Sequence, residues 1–422
     1  MNGTLTVNRK ALSISGLTAS DKIYDGTDDA SISSYGSLSG VLFSDDVSLN
    51  SGSLSVGSAN YSDKNVALDG SGSEIVKTVT LSLTNSDLTG VKSGNYSIAD
   101  QTTNNAKIFK KDITLSADDR SKTYGFGLSL GSSAFRVTSG AYVSGESISS
   151  VTLAAASNHD SSTTQSVGSY ADEITISSAV GAGGFLHANY DIVYDAGDLT
   201  IDRRAIELTA TNQSKNYGNS LSLGTAAFTK TGGTYANSES ATAVVLTSVN
   251  SYDSGTTQSV ATYSGEIGIS AATGSGGFLE SNYDVTYVQG DLTISPRAIT
   301  LAADDRTKTY GDTLNLGGSA FSLTSGSFAN SELVSSVSLA SSSNYDSSTT
   351  QGEGDYADEI TISGAVGADG FSTGNYTITY DAGDLAINQR AITLRADDRS
   401  KVYGESLVLG SSLFSLTSGS FA

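Results

Sequence analysis

Two histidines, His159 and His187, are the first place to look for chemistry, because imidazole is the commonest proton-transfer group near neutral pH. Neither recurs. A step of 93 residues further on, their places hold Tyr252 and Glu280, and a second step brings Tyr345 and Thr373. A chain that repeated a reaction would repeat its acid or base, so no catalytic residue is expected.

Paired acids recur more regularly, as Asp118-Asp119, Asp304-Asp305 and Asp397-Asp398. Adjacent carboxylates could contribute to a Ca²⁺ shell of roughly six to eight oxygens, which makes Asp118, Asp119, Asp304 and Asp305 calcium candidates. Against this, one copy of the site reads Thr211-Asn212, and no Asp-x-Asp-x-Asp-Gly loop is present. Each pair also has cationic neighbours, Arg120 and Lys122 or Arg306 and Lys308. The plainer reading is a solvated charge cluster whose ion pairs are individually worth little. No other cofactor is expected.

A third constellation is Lys122, Glu173 and Asn189, returning as Lys215, Glu266, Asn282 and as Lys308, Glu359, Asn375. These are the residue types of a Lys–Asn isopeptide bond assisted by an acid, although solvated Lys, Glu and Asn would recur in any repeating chain. Basic residues return at each boundary as Arg9-Lys10, Lys110-Lys111, Arg203-Arg204, Arg297 and Arg390. They either pair with a carboxylate of the neighbouring unit or solvate an exposed linker.

The elements that position these groups keep a common beat. Ser121-Lys122-Thr123-Tyr124-Gly125 returns at Tyr217-Gly218, Tyr310-Gly311 and Tyr403-Gly404, each tyrosine 93 residues after the last. A related stretch surrounds Tyr24. A fixed long period means an array of similar small domains. The boundaries then read as 1–8, the last strand of a preceding unit; 9–110, a first full unit; 111–203, 204–296 and 297–389; and 390–422, a truncated fifth unit too short for a core of its own.

Each unit opens with period-two apolar residues, such as Ile113, Leu115 and Ala117, which places them on one face of a strand. Later come Glu173-Ile174-Thr175-Ile176 and an Asn189-Tyr190 pair, each with copies in the next units. No long helical period occurs. About seven short strands per unit favour small antiparallel β-sandwiches, with a β-grasp-like sheet carrying one short helix as the alternative. The fold class is therefore all-β, in tandem. The Phe and Tyr positions read as core. Linkers such as Asp202-Arg203-Arg204 leave little slack, so an elongated rod is expected.

Composition narrows the function. The 422 residues carry a net charge of −21, which disfavours nucleic acid and anionic membrane surfaces. There is no cysteine, hence no disulfide or thiolate chemistry. No apolar run is long enough to span a bilayer, so membrane insertion is not expected. Met1-Asn2-Gly3-Thr4 reads as a start placed on an excised segment, without a signal peptide.

The motifs resemble known families. Asp21-Lys22-Ile23-Tyr24-Asp25-Gly26-Thr27, with Asn95-Tyr96, is similar to the YDG repeat domain. The Lys-x-Tyr-Gly openings, with Asn-Tyr and Gly-Asp-Leu-Thr-Ile endings, resemble MBG domains of the YGX type. The resemblance implies a stalk or adhesive segment of a large secreted bacterial protein of the filamentous-haemagglutinin kind, extracellular or at the cell surface. It implies no catalytic residue. Tyr24, Tyr124, Gly125, Tyr217, Gly218, Tyr310, Gly311, Tyr403 and Gly404 then define the repeat structurally. The leading expectation is an extension region that projects a distal binding region or contributes to biofilm matrix, with neighbouring repeats as partners. The alternative is repeated binding of host or matrix glycan or protein through avidity, with Tyr252 and Tyr345 as candidate glycan contacts.

Overall fold

A computed structural model describes residues 3–55 and 57–422. It divides into two compact bodies, one holding residues up to Arg204 together with Ser281–Tyr283, the other holding Ala205–Glu280 and Asp284–Ala422. Strands make up nearly all of the regular structure, and the helical elements among the described residues are short 3-10 turns. Among the described residues, no helix is long and apolar enough to cross a membrane.

Within the first body, residues 111–203 form seven strands: Lys111–Ala117, Arg120–Thr123, Phe135–Gly140, Ser147–Ala155, Gly168–Ala182, Tyr190–Asp195 and Gly197–Asp202. In chain order these are the domain's first to seventh strands. The first strand is the centre of a three-stranded sheet, antiparallel to the third and parallel to the sixth. The seventh lies between the second, to which it is parallel, and the fifth, to which it is antiparallel; the fourth closes that sheet.

The expected array of small β-domains is present, but the pairing within each domain is mixed rather than wholly antiparallel. A period-two pattern fixes which face a side chain takes, not which way the neighbouring strand runs. Parallel neighbours require a long connection, and here residues 118–189 supply it.

The chain passes from one sheet to the other at two corners, Asp118-Asp119 and Ala196. The first and second strands thus form one bent ribbon and the sixth and seventh another, lying side by side. Ile113, Leu115, Ala117, Ile174, Leu199 and Ile201 are buried in this domain. Residues 297–389 of the second body repeat the arrangement strand for strand, around a core of Leu301, Ile360, Leu385 and Ile387.

Residues 10–109 follow the same plan with shorter strands. Lys10–Ser15 pairs in parallel with Tyr96–Ile98, and Lys22–Ile23 with Ile108–Phe109. Gln101–Ala106, Lys77–Leu81 and Ala59–Tyr61 form a separate three-stranded antiparallel sheet. Residues 3–9, expected as a strand in part, join no sheet among the described residues, and Leu5 and Val7 are exposed. In 390–422, Thr393–Ala396 and Phe414–Ser418 pair as two antiparallel strands.

The Gly-Asp-Leu motif explains one corner. A Cβ on Gly197 would stand 2.7 Å from the Ala117 carbonyl oxygen, so the seventh strand can start there only with glycine. The next N–H, that of Asp198, donates to Asp119 Oδ1 at 2.9 Å. Asp198 Oδ1 in turn accepts the N–H of Asp172, which has a φ of 54° where the register of the fifth strand shifts. The copies are Asp384 to Asp305 at 2.8 Å and Asp291 to Asn212 at 2.8 Å. The site needs only an acceptor oxygen, which is why Asn replaces Asp there.

Candidate functional site

The recurring lysine is buried. Lys122 donates to the carbonyls of Asp160 (3.2 Å) and Ser162 (2.6 Å) and, more closely, to that of His159. Lys308 does the same with the carbonyls of Tyr345, Asp346 and Ser348. Burial lowers the Lys122 pKa, opposed in part by Asp160. The recurring glutamate holds the other side of this loop. Glu173 accepts the N–H groups of Ser157 at 2.9 Å and His159 at 3.2 Å. Glu359 accepts from the hydroxyls of Ser341 and Ser342 and from the Ser343 N–H at 2.9 Å. Desolvation pushes the Glu359 carboxyl up, but these donors outweigh it and carry it down to about 2. Lys and Glu are therefore two clamps on one polar loop.

The asparagine does something else. Asn189 Oδ1 accepts the Val66 N–H at 2.9 Å and its Nδ2 donates to Asn65 Oδ1 at 3.0 Å, both in the preceding domain. Asn282 accepts from Val167 at 3.1 Å within the first body, and Asn375 from Val260 at 3.1 Å within the second. The Lys, Glu and Asn of the supposed isopeptide triad are not brought together: the amine serves carbonyls and the amide serves the neighbour.

Beside Asn189 lies the most regular feature of the junction. Tyr24 donates to Glu146 Oε1 at 2.5 Å, and Tyr190 donates to Glu146 Oε2 at 2.7 Å. The two rings meet edge to face, 5.6 Å apart. In the second body Tyr217 and Tyr376 donate to the two oxygens of Glu332, with their rings 5.7 Å apart. Tyr124 and Tyr283, both in the first body, repeat the ring geometry at 5.7 Å. The second tyrosine also accepts a backbone N–H, from Val143 to Tyr190 and from Ala329 to Tyr376, each at 2.9 Å.

Burial, reinforced by the Glu146 carboxylate, pushes Tyr24 up to about 12. Desolvation and Glu332 likewise push Tyr376 up to about 12, against the lowering effect of the Ala329 N–H. Tyr190 and Tyr217 move in the same direction, led by burial. Each clasp holds two neutral phenols on one carboxylate.

The glycine of the motif completes the seat. Gly26 has a φ of 83° and packs against Val143; Gly218, at 82°, packs against Ala329. A Cβ at either position would overlap the following domain. The carbonyl of the motif tyrosine accepts from the boundary arginine: Tyr217 from Arg297 at 3.4 Å, Tyr310 from Arg390 at 2.7 Å and Tyr124 from Arg204 at 3.4 Å. These arginines mostly read backbone oxygen. Arg390 also pairs with the Asp312 carboxylate, where Arg297 meets Asn219.

Tyr24, Tyr124 and Tyr217 are thus buried, but their rings meet residues of the following domain rather than only their own core. Tyr310 is half-buried against its own domain's core. Tyr403 is fully exposed, and a Cβ on Gly404 would touch nothing. Tyr252 and Tyr345 are half-buried, edge-on to Tyr263 and Tyr356 at 4.9 and 4.8 Å, and do not stand out as free platforms. Asp118 pairs with Arg136 at 2.6 Å and Asp119 with the Asp198 N–H. Among the described residues, no group of three or more His, Asp or Glu could hold a metal ion.

Sequence reading missed Glu146, Glu239 and Glu332. They share the 93-residue step, and that step was their available signal. Asp45, which accepts from Tyr96 at 2.8 Å, is their counterpart in the first domain.

Comparison with known proteins places these features. Among solved structures, Drosophila N-cadherin EC1-4 aligns over 90% of this chain and 100% of its own at 10% identity, with a TM-score of 0.19. The Bacillus anthracis TIE protein aligns over 91% and 73% at 6% identity, with a TM-score of 0.16. Scores this low carry no information about the fold. No curated protein matches. The family model of the YDG domain matches residues 8–104, and that of the MBG domain (YGX type) matches residues 113–200 and 299–386. The chain is therefore a tandem array of a YDG domain and MBG domains of the YGX type.

Proposed function

We propose that the array is a non-enzymatic extension region of an extracellular bacterial protein, holding a distal binding region away from the cell surface. One observation carries this reading. Tyr24, Tyr124 and Tyr217 of the Tyr-Gly motif and its YDG counterpart, with Tyr190, Tyr283 and Tyr376 of the Asn-Tyr motif, are used to seat one domain on the next. The lone histidine of the polar loop supports the same view. His159 Nδ1 lies 3.4 Å from Glu173, but the later domains carry Tyr252 and Tyr345 in its place.

Length then becomes the product, and domains of the array should be interchangeable. The test is to delete single repeats from the parent protein and measure adhesion or matrix formation. Loss should track the number of repeats removed, whichever they are. If one particular repeat proves indispensable while the others are not, the array contains a specific site and the extension reading fails.

A further inference from the structure

We infer that each domain is a shear clamp that resists tension applied through its own ends; this rests on the extension reading, under which the chain carries load. In the domain at 111–203 tension enters before Lys111 and leaves after Asp202. The ribbon that takes the entering load and the ribbon that delivers it lie side by side and run the same way. Six register pairs join the first strand to the sixth, from Lys111↔Tyr190 to Ser116↔Asp195. Four more join the second to the seventh, from Arg120↔Leu199 to Thr123↔Asp202.

Pulling backward on one member of a parallel pair and forward on the other loads every rung at once. The ribbons must slip as a whole before any part gives. Two further bonds tie them, Asp198 N–H to Asp119 Oδ1 at 2.9 Å and Tyr124 N–H to the Asp202 carbonyl at 2.9 Å. The 297–389 domain has the same six and four pairs, with Asp384 to Asp305 at 2.8 Å and Tyr310 to Asn388 at 2.9 Å.

The antiparallel fourth and fifth strands offer the opposite case. Ser147 faces Ala182 at their open end, so force across those two residues peels rungs one at a time. The YDG domain has the parallel arrangement in shorter form, with three pairs at Lys10–Leu12 and two at Lys22–Ile23, and should yield first.

The chain has no cysteine, so introduced cysteines, kept reduced until the pulling handles are attached, define the load path. Ser147 and Ala182 are exposed, and Ser147→Cys with Ala182→Cys leaves the core untouched. Single-molecule pulling of the full chain by its ends is compared with pulling across that pair. Forced rupture reports the unfolding rate. At equal force, end loading should unfold an MBG domain roughly tenfold or more slowly, the equivalent of about 1.4 kcal/mol of barrier. Each end-loaded event should release up to roughly 300 Å of chain. Equal or faster rupture under end loading would overturn the clamp. That result would leave the extension reading standing, because repeat deletion tests it separately.

Discussion

Tyr217 and Tyr376 belong to successive domains, yet their hydroxyls meet on the two oxygens of a single carboxylate, Glu332. Tyr24 and Tyr190 share Glu146 in the same way, across a junction between domains of different family. One clasp therefore serves the joint between the YDG domain and the first MBG domain and the joint that precedes the MBG domain at 297–389 alike. The coupling should be measurable. Hydrogen bonds to a charged group contribute about 1.5–3 kcal/mol net. A double-mutant cycle on the full chain with Tyr24→Phe and Glu146→Gln should return a coupling energy of at least about 1 kcal/mol by denaturant unfolding. Additive losses would mean that the shared carboxylate does not join the domains.

Alkaline titration should loosen the same clasp. The folded chain holds Tyr24 and Tyr376 at about 12, above their ordinary value of 10.0. Folding thus favours the protonated phenol. The stability this supplies is complete below pH 10.0 and is lost as pH rises toward about 12. Unfolding midpoints taken across this range should fall, and Tyr24→Phe with Tyr376→Phe should flatten the fall. An unchanged slope in that variant would assign the alkaline loss to other groups.

Glu359 predicts the opposite limb. Its carboxyl drops from 4.5 to about 2 on folding, so the folded state favours the ionised form. That stability is complete above pH 4.5 and disappears as pH falls toward about 2. Glu359→Gln should lower stability at neutral pH and remove part of the acid dependence. Hydrogen exchange should locate the change in the loop around Ser343 and Tyr345, whose N–H groups exchange a charged acceptor for a neutral one.

These roles were unevenly legible in the sequence. The alternation of Ile113, Leu115 and Ala117 announced a buried strand face, and all three are buried. The Tyr-Gly motif announced its own importance but not its use. A ring covered by the next domain has the same local sequence as one covered by its own core. Glu146 passed as one more acid in a chain of net charge −21, because nothing local marks a carboxylate that two distant phenols will share. Lys122 looked solvated because buried lysines are rare, and only the fold reveals the three carbonyls that satisfy its amine. Strand direction lay outside the reach of alternation altogether.

The separate engagements of Lys122 and Asn189 also decide their covalent state. The Lys122 amine donates to loop carbonyls, and the Asn189 amide bonds Val66 and Asn65 in the preceding domain. Intact mass spectrometry should therefore return the full 43.1 kDa sequence mass, with no ammonia lost per domain. A deficit of one ammonia for each MBG domain would require the amine and the amide to leave those partners.

Glycine in the Tyr-Gly motif faces two separate demands, and substitution can tell them apart. Gly218 and Gly404 both have positive φ, 82° and 88°. A methyl group at Gly404 meets nothing, whereas one at Gly218 overlaps Ala329 of the following domain. Left-handed backbone costs an alanine about 1–2 kcal/mol. Gly404→Ala should lose no more than this in global unfolding. Gly218→Ala should lose more, and the excess should vanish in a chain that ends at the boundary before Arg297, where the overlapping Ala329 is gone. Equal losses for Gly218→Ala and Gly404→Ala in the full chain would show that backbone strain alone selects the glycine and that the seat against Ala329 yields freely.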